Sequence, residues 1–113
     1  MIEYIKEQLP QEELLAQLAE EATELAHAAL KYRRTLDGTN PTPVKRSEAL
    51  ANLKEEIADV LLLMNILDLD TPQISGEYIQ IMLAKEERWA KRLEASRMDA
   101  PSSKRQEDER CTK

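Results

Sequence analysis

From Gln11 to about Leu36 the apolar residues Leu14, Leu18, Leu25, Ala28 and Tyr32 recur at alternating steps near three and four, the spacing of one helix face. The position missing from this stripe, between Leu18 and Leu25, is occupied by Glu21. "DGTNPTP", residues 37–43, then ends the helix with a glycine and two prolines. A second stripe of Leu50, Leu53, Ile57, Val60, Met64 and Leu67 predicts another helix, with Ser47 as its N-cap. Leu61, Leu62, Leu63 and Ile66 widen that stripe until the helix is apolar nearly all round, so neighbours must cover it on more than one side. "DLDTP" closes it, and Thr71 before Pro72 caps a further helix that runs to about Ser96 through Ile74, Tyr78, Ile81, Met82, Trp89 and Leu93. Ahead of all these, residues 1–9 predict a short helix ended by Pro10, which also serves as the first residue of the next one.

The pattern predicts an all-α chain in which consecutive long helices pack antiparallel. Two helices of about 25 residues are roughly 35–40 Å long, a poor shape for a small self-sufficient core. Oligomerisation, as a homodimer or homotetramer, is the expected completion of the bundle. Residues 1–97 form the expected helical domain. From residue 98 onward the chain turns polar and highly charged, the composition of a mobile tail.

Composition supports the helical reading and narrows the functions. In 113 residues there are only two glycines and no phenylalanine, which disfavours sheet architectures rich in turns. A net charge of -6 argues against binding a nucleic acid polymer, because phosphate-backbone affinity comes from clustered Lys and Arg. The single cysteine, Cys111, excludes an intrachain disulfide and fits a reducing cytoplasm. The N-terminal stretch lacks the layout of a signal peptide, and no apolar run approaches the roughly 18 residues of a membrane span, so no membrane partner is expected.

Two acidic patches change the picture. "LAEEATELAH" and "LKEEIADVL" each hold adjacent glutamates followed three residues later by another acid. On a helix Glu21 and Glu24 share a face, and so do Glu56 and Asp59, while Glu20 and Glu55 stand four residues before Glu24 and Asp59. Like charges at these spacings destabilise a helix by about 0.2–0.5 kcal/mol per pair. Glu21 replaces an apolar member of its stripe, Glu56 falls in line with Leu53, Val60 and Leu63, and Asp59 has apolar neighbours on both sides. Either Asp59 reaches water or its charge has a partner. Facing carboxylates on two helices are best neutralised by a hard divalent ion with oxygen ligands, and Mg2+, which shares its coordination with substrate phosphates, is the natural candidate.

The pattern EExxE in "EEATE" followed by EExxD in "EEIAD" resembles the all-α nucleoside triphosphate pyrophosphohydrolase superfamily, which contains the MazG-like and dimeric dUTPase-like proteins. With "LAEEATELAHAALKYRR", "GTNPTPV", "NLKEEIADVLLLM" and "KEERWAKRL" the similarity covers about residues 12–94. The interval from Glu24 to Glu56 is slightly longer than usual for the superfamily, with the extra residues assigned to the Gly-Pro loop, where insertions cost little. The resemblance implies hydrolysis of a nucleoside triphosphate to a monophosphate and pyrophosphate, with Mg2+ (or Mn2+ in its place) held by Glu21, Glu24, Glu56 and Asp59. Glu20 and Glu55 then either hold a further ion or accept the proton of the attacking water.

Lys85, Arg88 and Arg92 fall at steps of three and four, so one face of the last helix presents three cations suited to a phosphate chain. The competing reading pairs them with Glu86, Glu87 and Glu94. Asn65, polar within an apolar run, is a candidate for hydrogen bonding to a base or for satisfaction at a subunit interface. His27, one turn after Glu24, is more often structural than a ligand, and the cations Lys31, Arg33 and Arg34 suit a helix C-terminus without further function. The alternative to an enzyme is a non-catalytic helical interaction module with solvated acids. A di-iron bundle needs repeated Glu-x-x-His motifs, and "ELAH" occurs once.

Overall fold

The computed structural model describes residues 1–38 and 44–99. These form four helices, α1 (Ile2–Gln8), α2 (Gln11–Asp37), α3 (Arg46–Ile66) and α4 (Pro72–Asp99), with no strand among the described residues. The fold is all-α, as the periodicity predicts. None of the helices is long and apolar enough to cross a membrane. The chain divides into two compact units, Met1–Thr71 and Pro72–Lys113.

In the first unit α2 packs on α3, and α1 lies against α3. Leu14 near the start of α2 meets Leu63 and Ile66 near the end of α3, with Ile2, Ile5, Leu18 and Leu67 packed around them. Ala28, two-thirds along α2, and Ala49, at the start of α3, are also buried and line one hollow. The two helices are therefore antiparallel. Every member of the α2 stripe is buried or half-buried, Glu21 included, so the acid occupies the place of a core residue. On α3 the inward face runs through Ala49, Leu53, Glu56, Val60 and Leu63, whereas Ile57, Leu61 and Leu62 are exposed.

The helix ends differ from expectation in informative ways. Pro10 stands just outside α2 with extended backbone, as its N-cap instead of its first residue. The cap of α3 is Lys45 and not Ser47, two residues earlier than expected. A lysine side chain has no acceptor to offer a helix N-terminus. Here the carboxylate of Glu48 reaches back instead and accepts a hydrogen bond from the Lys45 backbone N–H at 3.4 Å. Gly38 ends α2 at φ 66, where its missing Cβ removes the steric cost. At the end of α3, Asp68 takes the same left-handed role at φ 58 without being glycine. Its N–H donates to Asn65 O at 3.1 Å and that of Leu69 to Met64 O at 2.8 Å, the paired bonds of a Schellman stop. Lys6 of α1 fastens this corner, donating to both Asp68 oxygens at 3.1 and 3.2 Å.

In the second unit α4 extends through Asp99, three residues past the expected stop at Ser96. The tail expected from residue 98 therefore lies outside the described residues except for Met98 and Asp99, which close this helix. Most of the Gly-Pro segment, residues 39–43, is likewise outside them.

Candidate functional site

Antiparallel packing brings the two acidic motifs level with one another. Because Leu14 meets Leu63, two turns further along α2 places Glu21 opposite Glu56. Carboxylate oxygens of Glu21, Glu56 and Asp59 lie within 4.8 Å of one another, with Glu21 and Glu56 half-buried and Asp59 exposed. Of the two routes open to Asp59, the folded chain takes water. It is Glu56 that the fold draws inward.

One Glu56 oxygen, Oε2, is shut off from solvent and has no hydrogen-bond partner among the described residues. A buried carboxylate oxygen without a donor is costly. Burial, followed by the charges of Asp59, Glu21, Glu24 and Glu55, pushes the Glu56 carboxyl above its ordinary value of 4.5. Among the described residues the donor to Glu21 is Gln17 Nε2, one turn earlier, at a long 3.5 Å. The cluster thus concentrates negative charge, leaves a lone pair unanswered, and supplies only oxygen donors. That is the donor set of a hard divalent cation, and the residues present fit one.

The sequence model of the MazG nucleotide pyrophosphohydrolase domain matches residues 9–69, more than half of the chain. This chain belongs to that family. No curated protein and no solved structure matches it. The matched span takes in α2 and α3 with both acidic motifs, so the MazG assignment and the carboxylate cluster rest on the same residues.

Glu24 lies outside the group formed by Glu21, Glu56 and Asp59. It lines a hollow of about 140 Å³ beside the cluster, together with His27, Ala28, Lys31, Ala49, Asn52 and Glu56. Its charge still acts on Glu56. Glu20 and Glu55 are both exposed, and of the two only Glu55 adds to the electrostatic pressure on Glu56. Asn52 escaped the sequence reading, although a signal was present, since it stands four residues before Glu56 and so shares its face.

Asn65 is not brought to this group. At 100° per residue it lies about half a turn around α3 from Glu56. It is exposed, and its backbone carbonyl serves the helix stop.

Lys85, Arg88 and Arg92 are all exposed on α4 and line an open hollow with Trp89 and Lys91. Among the described residues the α4 ion pair is Lys91–Glu87 at 3.1 Å, which leaves those three cations without a carboxylate partner there. Trp89 is about half exposed instead of packed in a core. On α2 Arg33 pairs with Asp37 at 4.0 Å, the end-of-helix arrangement expected of a structural cation.

Proposed function

We propose that this MazG protein hydrolyses nucleoside triphosphates between the α and β phosphates, releasing a nucleoside monophosphate and pyrophosphate, with Mg2+ as its metal and Mn2+ as a working substitute. The observation that carries the proposal is the buried, unpartnered Glu56 oxygen inside a cluster with Glu21 and Asp59. Those three residues, with Glu24 beside them, hold the ion. When bound, it neutralises phosphate charge and makes water a stronger nucleophile at neutral pH. The chain's own part is to fix that chemistry in place. Glu21 and Glu56 sit on two helices locked by apolar packing, so their separation is set by the fold and not by loop motion.

The exposed Glu55, close enough in charge to influence Glu56, takes the proton of the attacking water, and Glu20 is its alternate on α2. Lys85, Arg88 and Arg92 bind phosphate oxygens, a role suited to cations with no carboxylate partner among the described residues. The active form is a homodimer or homotetramer, supported by the exposed Ile57, Leu61 and Leu62 on α3, at 41%, 56% and 50% accessibility.

The test is a panel of ribo- and deoxyribonucleoside triphosphates with and without Mg2+, read by product analysis. The proposal expects metal-dependent release of pyrophosphate that is lost in both Glu21→Gln and Glu56→Gln. Turnover that persists in both variants at the parent rate would remove the cluster from the reaction.

A further inference from the structure

The hollow beside the acidic cluster has a chemistry of its own. It shares Glu56 with the cluster and extends along the α2–α3 seam past Glu24 and Asn52 to His27 and Lys31. At about 140 Å³ it is well below the roughly 300–1,000 Å³ of a pocket that engulfs a whole drug-sized ligand. It therefore takes one part of a substrate. Two small residues, Ala28 and Ala49, form buried parts of its wall, and a larger side chain at either place would reduce the space.

The lining is rich in acceptors. Glu24 and Glu56 carry carboxylates, Asn52 has an amide oxygen, and His27 brings an imidazole ring. A phosphate has only acceptor oxygens to offer in its ionised form and would meet these groups with repulsion. A sugar hydroxyl both donates and accepts. It can donate to Asn52 Oδ1, Glu24 or His27 and accept from the Asn52 amide or from His27. Lys31 adds a cationic donor at a position one turn beyond His27.

We propose that this hollow is the sugar subsite of the nucleotide, and that Asn52 and His27 recognise the 2′-hydroxyl, making the protein selective for ribonucleoside over deoxyribonucleoside triphosphates. The inference rests on the pyrophosphohydrolase reading above, since the phosphates must sit at the neighbouring cluster for the sugar to reach the hollow. A site that hydrogen-bonds a substrate hydroxyl discriminates against the analogue lacking it, because the site's own polar groups are then left without a partner. Asn52 and His27 are both exposed in the free protein, so truncating them removes recognition without opening the core.

The experiment pairs binding with turnover. Titration calorimetry with a non-hydrolysable α,β-methylene ribonucleoside triphosphate and its 2′-deoxy counterpart, in Mg2+, gives a ratio of affinities. Steady-state kcat/KM for the matching natural pair gives a ratio of rates. The parent should favour the ribo form by about tenfold or more, the factor that one good hydrogen bond supplies. Asn52→Ala and His27→Ala should each move both ratios towards one by weakening the ribo form without weakening the deoxy form. Equal handling of the two sugars by the parent, or variants that weaken both forms alike, would overturn the sugar assignment and leave the pyrophosphohydrolase reading standing. If neither analogue binds and neither triphosphate is hydrolysed, that reading fails and the sugar subsite falls with it.

Discussion

Leu14→Ala and Leu15→Ala form a matched pair that asks which face of α2 carries the site. The two leucines are adjacent, but Leu14 is 5% exposed against Leu63 and Ile66, whereas Leu15 is 47% exposed. Truncation to alanine removes three carbons. At about 0.8 kcal/mol per buried carbon, Leu14 loses about 2.4 kcal/mol of transfer free energy, and the cavity left behind raises the total into the range of about 2–5 kcal/mol. Leu15, half in water already and leaving no closed cavity, should lose about 1 kcal/mol. For a unit of this size each kcal/mol moves Tm by about 4–8 °C, so the two variants should melt at least about 4 °C apart, with Leu14→Ala the lower. Thermal unfolding followed by circular dichroism without metal measures this. Glu21 lies two turns along from Leu14 on the same stripe, so Leu14→Ala should keep its Mg2+-induced rise in Tm. Equal losses in the two variants, or a larger one at Leu15, would mean that α2 docks by another face. Glu21 would then no longer be aimed at Glu56.

Glu56→Gln should raise the metal-free Tm at neutral pH and abolish the upward shift on adding Mg2+, since a ligand that binds only the folded state stabilises it by mass action. The pH dependence follows from the same raised carboxyl. The folded state binds this proton more tightly than the unfolded chain, so the contribution of Glu56 to stability falls as pH rises from the ordinary value of 4.5 through the raised one and stays low above it. Parent and Glu56→Gln melting curves should therefore converge below that window and diverge above it, and parallel curves would refute the burial argument. Arg88→Ala should raise KM or lower kcat well beyond Arg97→Ala, which removes the same charge two to three turns along α4; matching losses would reduce the effect to bulk electrostatics. Light scattering at micromolar concentration should report a dimer or tetramer, and a stable monomer would leave Ile57, Leu61 and Leu62 without the expected cover.

Much of this architecture is legible in the sequence because α2 obeys one periodicity. Leu14, Leu18, Glu21, Leu25, Ala28 and Tyr32 all face inward, and the substitution of an acid into a leucine stripe marks the candidate site in the sequence alone. On α3 the reading is only partly right, for a physical reason. A helix apolar nearly all round has no single moment to give its direction, so the pattern puts Glu56 in line with Leu53, Val60 and Leu63 but does not tell that Ile57 and Leu61 face outward. That is also why Asp59 seemed the acid in need of a partner, when burial falls on its neighbour one turn earlier. Asn65 drew attention as a polar residue among hydrophobes, yet its angular position carries it away from the acids. Asn52 drew none because its neighbours on the surface are polar too. Its spacing of four from Glu56 puts it on that face, and the antiparallel register brings it beside Glu24 as well. The cap of α3 falls at Lys45 instead of Ser47 because the capping group is a glutamate reaching backwards and not a hydroxyl at the cap itself.

The proposed reaction is hydrolysis at the α–β phosphate bond by an acidic cluster on facing helices. Its most direct test is 31P NMR of the products formed from a ribonucleoside triphosphate in 18O-enriched water with Mg2+. A monophosphate and pyrophosphate should form in equal amounts and only with the metal, with the label in the monophosphate if water attacks the α phosphorus and in pyrophosphate if it attacks the β phosphorus. Label in orthophosphate beside a nucleoside diphosphate would contradict it in favour of γ-phosphate hydrolysis, and no metal-dependent turnover across the nucleotide panel would contradict it in favour of a non-catalytic helical interaction module.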